Sequence, residues 1–274
     1  MEIMKPLLSY YGGKQRLSST ILEMMPDFKV FVEPFCGGAA VLFAMPPNSK
    51  RVEVLNDKDE RIVTLYRVAK TQPEELLKLI DATPYSRSCH KKASKIWAEP
   101  QGISDLEVAW AVYVTIMQGF GNQPNRGWGF SFSQESSEPK VWNNAKTRVK
   151  EQLSRLNNVY IECDDALKII ERWDSKDTFF YVDPPYPNTD CGHYKGYTLD
   201  DYKTLIAKLS IIKGKFLLSN YPQAVTIPKE WHKLDKTLSC QVTNQIEKRG
   251  NRTEVLYRNY DLHQMSFFDA EWDG

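Results

Sequence analysis

One stretch of the sequence indicates the fold: Thr178-Phe179-Phe180-Tyr181-Val182-Asp183-Pro184-Pro185-Tyr186. Its first five residues are β-branched or aromatic, which predicts a short buried strand that ends at Asp183. Open α/β sheets place their chemistry at the carboxyl ends of such strands. The two prolines donate no N–H and hold φ at about −65°, so Asp183, the Pro184 carbonyl and the Tyr186 ring could grip a flat ring that carries an amine. A strand that merely ends at a proline turn explains the tetrapeptide equally well.

The composition permits a full hydrophobic core and argues against several classes of protein. With 274 residues and 42% hydrophobic content, the chain can form one large α/β domain or a domain with an insertion. The 36 Lys and Arg residues nearly balance the 35 Asp and Glu residues, so a surface for a polyanion must be local. Five scattered cysteines without a Cys-x-x-Cys pair, and four histidines without metal-ligand spacing, predict no disulfide framework, no metal site and a reducing cytoplasm. No apolar run approaches the ~20 residues of a membrane span, so we expect a soluble protein.

A second strand-turn-helix pattern predicts a site for a nucleotide-like cofactor. Val30-Phe31-Val32 is typical of a buried strand and runs into Glu33-Pro34-Phe35-Cys36-Gly37-Gly38-Ala39-Ala40, where small residues let the backbone approach a ligand. Asp57 follows a second strand, Val52 to Leu55, and lies 24 positions after Glu33, an offset that suits ribose hydroxyls. A tight turn followed by a surface acid is the alternative interpretation.

Near the start of the chain, Tyr10-Tyr11-Gly12-Gly13-Lys14 precedes a predicted helix from Gln15 to Met25. A phosphate-binding P-loop would require glycine at the position of Leu8 and Ser or Thr at the position of Gln15, so nucleotide hydrolysis is disfavoured. What remains is a lysine at the start of a helix, beside aromatic rings, that could meet a carboxylate.

A basic insertion separates the two halves that carry these motifs. Between Pro84 and Tyr160, ten Lys and Arg residues outnumber six Asp and Glu residues. Within it, the segment from Gly119 to Phe130 combines four glycines with amide, guanidinium and aromatic side chains, which suit base edges and base steps in DNA. An ordinary glycine-rich hairpin is the alternative, and the basic helix from Asn144 to Leu156 either follows phosphates or is solvated. The DNA-binding candidates are Lys91, Lys92, Asn122, Asn125, Arg126 and Trp128.

The rest of the chain alternates predicted helices and strands. Asp164-Asp165 lies between a strand and a helix, and one acid of this pair should cap the helix while the other could face a cofactor. The predicted elements are helices from Arg61 to Lys78 with a break at Pro73, from Val108 to Met117, from Ala166 to Trp173 and from Tyr202 to Leu209 with Thr198 as its cap, strands from Val159 to Glu162 and from Phe216 to Ser219, and an antiparallel pair from Lys236 to Arg258.

Together these motifs resemble the Dam-like, α-group DNA adenine methylase family of S-adenosylmethionine-dependent N6-adenine methyltransferases. The resemblance implies a Rossmann-like α/β methyltransferase sheet from residues 1–70 and 157–262, an inserted, mainly helical target-recognition domain at 71–156 and a flexible tail at 263–274. The matching segments are Leu8-Ser9-Tyr10-Tyr11-Gly12-Gly13-Lys14, Val32-Glu33-Pro34-Phe35-Cys36-Gly37-Gly38, Asp57, Asp165, Asp183-Pro184-Pro185-Tyr186, Leu217-Leu218-Ser219-Asn220 and Arg252-Thr253-Glu254-Val255-Leu256.

The resemblance also implies roles for individual residues. Asp183, Pro184 and Tyr186 would be catalytic, with Asp183 shared between S-adenosylmethionine and the target base. The cofactor would contact Tyr10 and Lys14, with Lys14 near its carboxylate; Glu33, Pro34, Phe35, Gly37 and Gly38 would surround its methionine part, Asp57 its ribose and Asp165 its adenine, which leaves Asp164 as the helix cap. The chain departs from the family where Ala39 replaces a common second glycine and Tyr10 a frequent tryptophan. We expect Gly38 to provide the conformational freedom that Ala39 lacks.

The implied activity is site-specific methyl transfer to a flipped adenine in double-stranded DNA, with a cognate restriction endonuclease left open. An N4-cytosine or RNA methyltransferase is one alternative, since the tetrapeptide can hold any planar ring amine, and a catalytically silent DNA-binding homologue is another. In the tail, Gln264-Met265-Ser266-Phe267-Phe268 resembles the short peptides that dock on the bacterial sliding clamp. A tail that packs its phenylalanines on the body of the protein is the favoured alternative.

Overall fold

In the part of the chain that the structure describes, seven strands form one central sheet: β1 Val30–Glu33, β2 Val52–Asn56, β3 Val159–Glu162, β4 Thr178–Val182, β5 Lys215–Asn220, β6 His232–Ser239 and β7 Asn251–Arg258. The computed structural model describes residues 3–10, 13–124, 126–132, 137–185, 197–220, 225–239 and 251–262, with the backbone alone at 237–239 and 251–253. The strand order is β3-β2-β1-β4-β5-β7-β6. Strands β1 to β5 are parallel, and β7 is antiparallel to both β5 and β6. This sheet confirms the predicted α/β class and Rossmann-like architecture.

Helices cover both faces of the sheet, because successive apolar side chains of a strand point to opposite faces. Phe31 and Phe179 lie in the core with α1, α2 and α3, whereas Val32 and Phe180 lie in the core with α8 and α9 on the other face. Helices α4 to α7, which belong to the predicted insertion, contribute to the first of these two cores. The helices are α1 Ser18–Glu23, α2 Ala40–Ala44, α3 Glu60–Thr71, α4 Pro73–Ala82, α5 Arg87–Ala98, α6 Asp105–Met117, α7 Glu138–Arg155, α8 Ala166–Trp173 and α9 Leu199–Leu209.

Several helix bounds differ from the prediction for physical reasons. The helix expected at Gln15 is a 3₁₀ turn at Lys14–Arg16 followed by the short α1. Pro73 begins α4, since the N–H that proline lacks would have no helical partner at that position. Sequence analysis missed α5, because two of its four buried positions are His90 and Ala93, which leaves too few large apolar residues to show a period. The Thr198 cap is confirmed, and it forms a capping box with Asp201.

A buried ion pair attaches the end of α7 to the sheet. Arg155 Nη1 lies 2.6 Å from Glu53 Oε2, and Arg155 Nη2 lies 2.8 Å from Glu53 Oε1. The same Nη2 atom donates to the Leu42 carbonyl at 3.1 Å, so the guanidinium joins α7, β2 and α2. Glu53 also accepts from Arg51 Nε at 2.9 Å. Because both Glu53 and Arg155 are almost fully buried, Arg155 depends on Glu53 for compensation of its charge, and Glu53 depends on Arg155 and Arg51 together.

Arg155→Ala should lower the free energy of unfolding by about 3 kcal/mol, because it leaves a buried Glu53 with Arg51 as its remaining partner. Urea unfolding at neutral pH measures the loss. Lys150→Ala, an exposed change on the same helix, is the control and should stay within about 0.5 kcal/mol of the parent protein. A loss below about 1 kcal/mol for Arg155→Ala would show that the pair is not needed for attachment of α7.

Candidate active site

The acids singled out in the sequence meet at one edge of the sheet. Glu33 ends β1, Asp57 follows β2 and Asp183 follows β4, and these three strands are parallel neighbours. Strand β7 runs in the opposite direction, so its first half reaches the same edge and brings Glu254 there. The antiparallel strand therefore adds an acid to a site otherwise built from the carboxyl ends of parallel strands.

A buried lysine lies between two of these carboxylates. Lys14 Nζ is 2.7 Å from Asp183 Oδ1 and 2.8 Å from Asp183 Oδ2. It is also 3.3 Å from Glu254 Oε1, and that oxygen accepts a hydrogen bond of 2.7 Å from Ser219 Oγ. The Lys14 side chain is 6% exposed and that of Glu254 3%, whereas Asp183 is 20% exposed. Asp183 is thus the member of this Lys14–Asp183–Glu254 cluster that a substrate can reach most easily.

Asp57 holds the glycine turn after β1 in place. Its Oδ2 atom accepts from Gly37 N at 2.9 Å, and its Oδ1 atom accepts from Asp59 N at 2.9 Å. Tyr66 Oη donates to the Gly37 carbonyl at 2.7 Å, so the turn is fixed on both sides. Burial raises the pKa of Asp57 to about 6, although these backbone hydrogen bonds act to lower it. The predicted ribose ligand is therefore also the anchor of the glycine turn.

Glu33 is a buried acid that carries its proton at neutral pH. Its pKa is raised to about 8, chiefly by burial; the hydrogen bond of 2.7 Å from Leu42 N to Oε1 opposes this shift, and the nearby charge of Asp183 adds to it. The residue as a whole is 2% exposed. A cation placed beside Glu33 would favour its ionised form.

The N-terminal segment lies directly against the glycine turn. A methyl group built on Gly38 would stand 2.7 Å from the Leu8 carbonyl oxygen and 3.0 Å from Tyr10 Cβ, so only glycine fits there. Gly38 does not provide the conformational freedom expected of it, because Ala39 itself adopts the left-handed conformation with φ 52° and ψ 40°. That expectation was wrong, and Ala39 bears the strain, about 1–2 kcal/mol, that a glycine would avoid.

The expectation that Asp164 caps α8 was also wrong. Asp165 is the N-cap of α8, since its Oδ1 atom accepts from Leu167 N at 2.9 Å. Asp164 instead accepts from Asp165 N at 2.8 Å and pairs with Arg172 at 3.1 Å. Asn56 joins this turn to the glycine turn, because its amide nitrogen donates to the Pro34 and Asp164 carbonyls at 2.8 and 3.0 Å. The residue predicted to face the cofactor therefore has a structural duty as well.

The family model for D12 class N6 adenine-specific DNA methyltransferases matches residues 10–95 and 123–257. The chain belongs to this family. The matched segments contain Lys14, Glu33, Asp57, Asp183 and Glu254, so the whole sheet edge lies within the family region. Membership confirms the expected class of enzyme, a site-specific N6-adenine DNA methyltransferase, over the N4-cytosine and RNA alternatives.

Relatives of the methyltransferase extend over nearly the whole chain. The Type II methyltransferase M1.LlaDCHI of Lactococcus lactis subsp. cremoris is 26% identical over 94% of this chain and 96% of its own length. The Type II methyltransferase M.MjaIII of Methanocaldococcus jannaschii is 25% identical over 80% of this chain and 85% of its own. Among solved structures, an rRNA methyltransferase, aviRa from Streptomyces viridochromogenes, covers 91% of this chain and 86% of its own with a TM-score of 0.38 and 14% identity, a likeness too distant to bear on function.

The methyltransferase carries an exposed aromatic surface on the predicted DNA-binding loop. A bridge between Gly119 and Trp128 closes this loop as a hairpin. The Trp128 and Phe130 rings stack with centroids 6.0 Å apart, and the Arg87 guanidinium lies 4.8 Å from the Trp128 centroid. Phe130 is 51% exposed and Phe132 95%. The Phe130 and Phe132 rings also meet edge-on at 5.8 Å, and adjoining exposed apolar side chains can mark an interaction site.

The other DNA-binding candidates differ in their surroundings. Arg126 is exposed and Asn122 is half-buried with φ 56°. Lys91 is exposed and follows Arg87 by one helical turn on α5. Lys92 Nζ lies instead 5.4 Å from the Trp110 ring centroid. Arg87 was missed by sequence analysis, although its spacing from Lys91 was a usable signal.

The remaining predicted site residues complete the arrangement. Tyr10 and Pro34 are buried at the N-terminal segment and glycine turn, and Pro184 is buried after β4. The half-buried Phe35 meets the Tyr197 ring edge-on at 6.2 Å. Tyr186 and Asn125 lie outside the described residues. Within the described ranges, no group of His, Cys, Asp or Glu is placed to hold a metal ion, and no helix is long and apolar enough to cross a membrane.

Glu33 should make stability fall as the pH rises. Its pKa of about 8 lies above the ordinary value of 4.5, so the folded chain keeps a proton that the unfolded chain releases. The contribution to the free energy of unfolding is full below the ordinary pKa and is lost as the pH rises through the folded pKa, with a slope of up to about 1.4 kcal/mol per unit.

Glu33→Gln retains the neutral shape and should remove this part of the pH dependence, which urea unfolding across that pH range measures. Glu23→Gln, an exposed change on α1, is the control and should follow the parent curve. Equal pH dependence in the parent and Glu33→Gln proteins would contradict a neutral Glu33.

Proposed function

We propose that the enzyme is a site-specific DNA-methyltransferase (adenine-specific) that transfers the methyl group of S-adenosylmethionine to N6 of an adenine flipped out of double-stranded DNA. The main support for this proposal is the position of Asp183. This residue is the partly exposed carboxylate at the carboxyl end of a central strand, and Lys14 fixes its orientation. We also propose that the enzyme belongs to the Dam-like, α-group subclass of the family.

The described residues fit S-adenosylmethionine as cofactor. Gly38 lets the backbone of the turn pack closely against Tyr10. A turn of such small residues also lets a cofactor approach the backbone closely. Glu33 is neutral when no cation is near and would ionise beside an ammonium group, so it suits the methionine part. Asp57 has further lone pairs for ribose hydroxyls, since each carboxylate oxygen can accept twice. We assign Pro34, Phe35 and Gly37 to the same turn, and Asp165 to the adenine of the cofactor.

S-adenosylmethionine, when bound, supplies a methyl group activated by its sulfonium. The nucleophile is the exocyclic N6 of the target adenine, a poor one because its lone pair is delocalised into the ring. Formation of the N6–C bond is balanced by cleavage of the S–C bond and by loss of one N6 proton. Asp183 and the Pro184 carbonyl would accept the two N6 hydrogens, hold the amine in line and raise the electron density on nitrogen. Flipping costs a few kcal/mol, and stacking on Tyr186 would return roughly 1–3 kcal/mol.

We assign target recognition to the hairpin and to the start of α5. Arg126 is exposed for a guanine edge, and Asn122 and Asn125 suit adenine edges. Trp128 is half-buried between Tyr85 and Phe130, so it would support the hairpin while the exposed phenylalanines meet the bases. Lys91, Lys92 and Arg87 would neutralise phosphates.

Two further partners are proposed from the sequence alone. A sliding clamp would bind the segment from Gln264 to Phe268, which lies outside the described residues. A cognate restriction endonuclease would share the target sequence, in keeping with the description of the relatives as Type II methyltransferases.

Asp183→Ala should abolish methyl transfer to adenine in duplex DNA, while affinity for S-adenosylmethionine falls less steeply, because the acceptor of the N6 hydrogens is lost. Transfer of labelled methyl groups and equilibrium binding of the cofactor measure the two effects. Asp177→Ala, an exposed acid before β4, is the control and should stay active. Full activity of Asp183→Ala would refute the catalytic assignment.

Arg126→Ala should relax the sequence preference or weaken specific DNA binding by about 1–3 kcal/mol. Methylated-base sequencing of DNA from expressing cells, together with binding to the modified and a scrambled duplex, measures both. Lys213→Ala removes an exposed cation beside the start of β5, at the opposite edge of the sheet, and should alter neither. Unchanged specificity and affinity in Arg126→Ala would contradict a role of Arg126 in target recognition.

A further inference from the structure

We propose that Glu254 is a positioning residue for methyl transfer, which acts on Asp183 through Lys14. This inference rests on the proposed role of Asp183 as the acceptor of the N6 hydrogens. Glu254 is 2% exposed, so it does not itself meet a substrate. Its influence on the reaction must pass through the groups that it touches.

The geometry makes Lys14 a shared cation. An ammonium group has three donors, and Lys14 Nζ has three carboxylate oxygens around it, at 2.7 and 2.8 Å on Asp183 and 3.3 Å on Glu254. The two carboxylates thus approach from different strands, β7 and the end of β4, with the lysine between them. Neither can move without changing the position of the ammonium group.

The charges explain why two carboxylates serve the reaction better than one. A single lysine beside a single aspartate would form a neutral pair, in which the aspartate is a weaker acceptor. With Glu254 ionised, the cluster has a formal excess of one negative charge, and the excess falls on the oxygens that face outward. Asp183 is the more exposed of the two carboxylates, so it is the one placed to accept an N6 hydrogen. Because the cluster is buried, the low dielectric around it strengthens the attraction of both carboxylates to Lys14.

Ser219 fixes Glu254 in the orientation that this sharing requires. Ser219 Oγ donates 2.7 Å to Glu254 Oε1, the same oxygen that faces Lys14. Ser219 is fully buried on β5, and β5 pairs with β7 in a register that places Ser219 opposite Leu256. The hydroxyl therefore holds the carboxylate of a neighbouring strand against the lysine.

Glu254→Gln tests the inference, because it keeps the shape of the side chain and removes its charge. The single-turnover methylation rate at saturating cofactor and DNA should fall about tenfold or more, while the dissociation constant for S-adenosylmethionine and the thermal midpoint stay close to those of the parent. Glu254→Asp should recover part of the rate. Glu230→Gln, the same change at an exposed site, should have no effect.

A double-mutant cycle with Lys14→Gln separates positioning from general structural support. Because Glu254 acts through Lys14, the double variant should be no slower than Lys14→Gln alone. Rates that multiply would show independent roles and overturn the inference, as would a parental rate in Glu254→Gln. If Glu254→Gln does not fold, Ser219→Ala keeps all charges and should still slow transfer about threefold or more; a parental rate there overturns the inference.

The outcome is distinguishable from failure of the proposed function. Activity in Asp183→Ala would remove the catalytic assignment itself. An inactive Asp183→Ala together with a fully active Glu254→Gln would leave that assignment intact and overturn only the positioning role.

Discussion

Crowding of carboxylates at one edge of a parallel sheet is the constraint on which the rest of this structure depends. Parallel strands bring their carboxyl ends together, and this chain places acids there that would repel one another in a buried setting. The protein compensates them in three ways. Glu33 keeps its proton, Asp57 accepts backbone N–H groups, and Asp183 and Glu254 share Lys14. Each solution leaves the edge suited to a cationic cofactor and an amine.

The N-terminal segment makes these compensations possible. It carries Lys14 to the site, packs on Gly38 and is itself held by α7, since Gln152 Nε2 donates to the Lys5 and Pro6 carbonyls at 2.8 and 3.0 Å. The same helix is attached to the sheet through Arg155. The region predicted as a recognition insertion thus also supports the position of the site lysine, and a change in α7 can reach the chemistry without touching a ligand.

Much of the sheet and its edge was predictable because the signals are local. The β-branched and aromatic run before Asp183 consists of adjacent residues, and the offset from Glu33 to Asp57 spans a single strand-turn-helix-strand unit. What could not be predicted depends on pairing between distant segments. Glu254 acquires its place only because β7 lies antiparallel beside β5. Asp164 and Asp165 are both competent caps, so their sequence could not decide between them, and the left-handed Ala39 is visible only in the backbone.

The sharing of Lys14 between Asp183 and Glu254 has a consequence for the order of folding. Lys14 and Asp183 are 169 positions apart, and Glu254 belongs to the last strand of the sheet. A second contact also joins the two ends of the described chain: the Tyr260 hydroxyl donates to the Met24 carbonyl, 236 positions earlier. Because Lys14 precedes Asp183 and Glu254 in the sequence, it emerges before both of its partners during synthesis. A chain that has not yet inserted β7 has the glycine turn and the tetrapeptide but lacks the Glu254 partner of Lys14, so the full Lys14–Asp183–Glu254 cluster forms only when the sheet is complete.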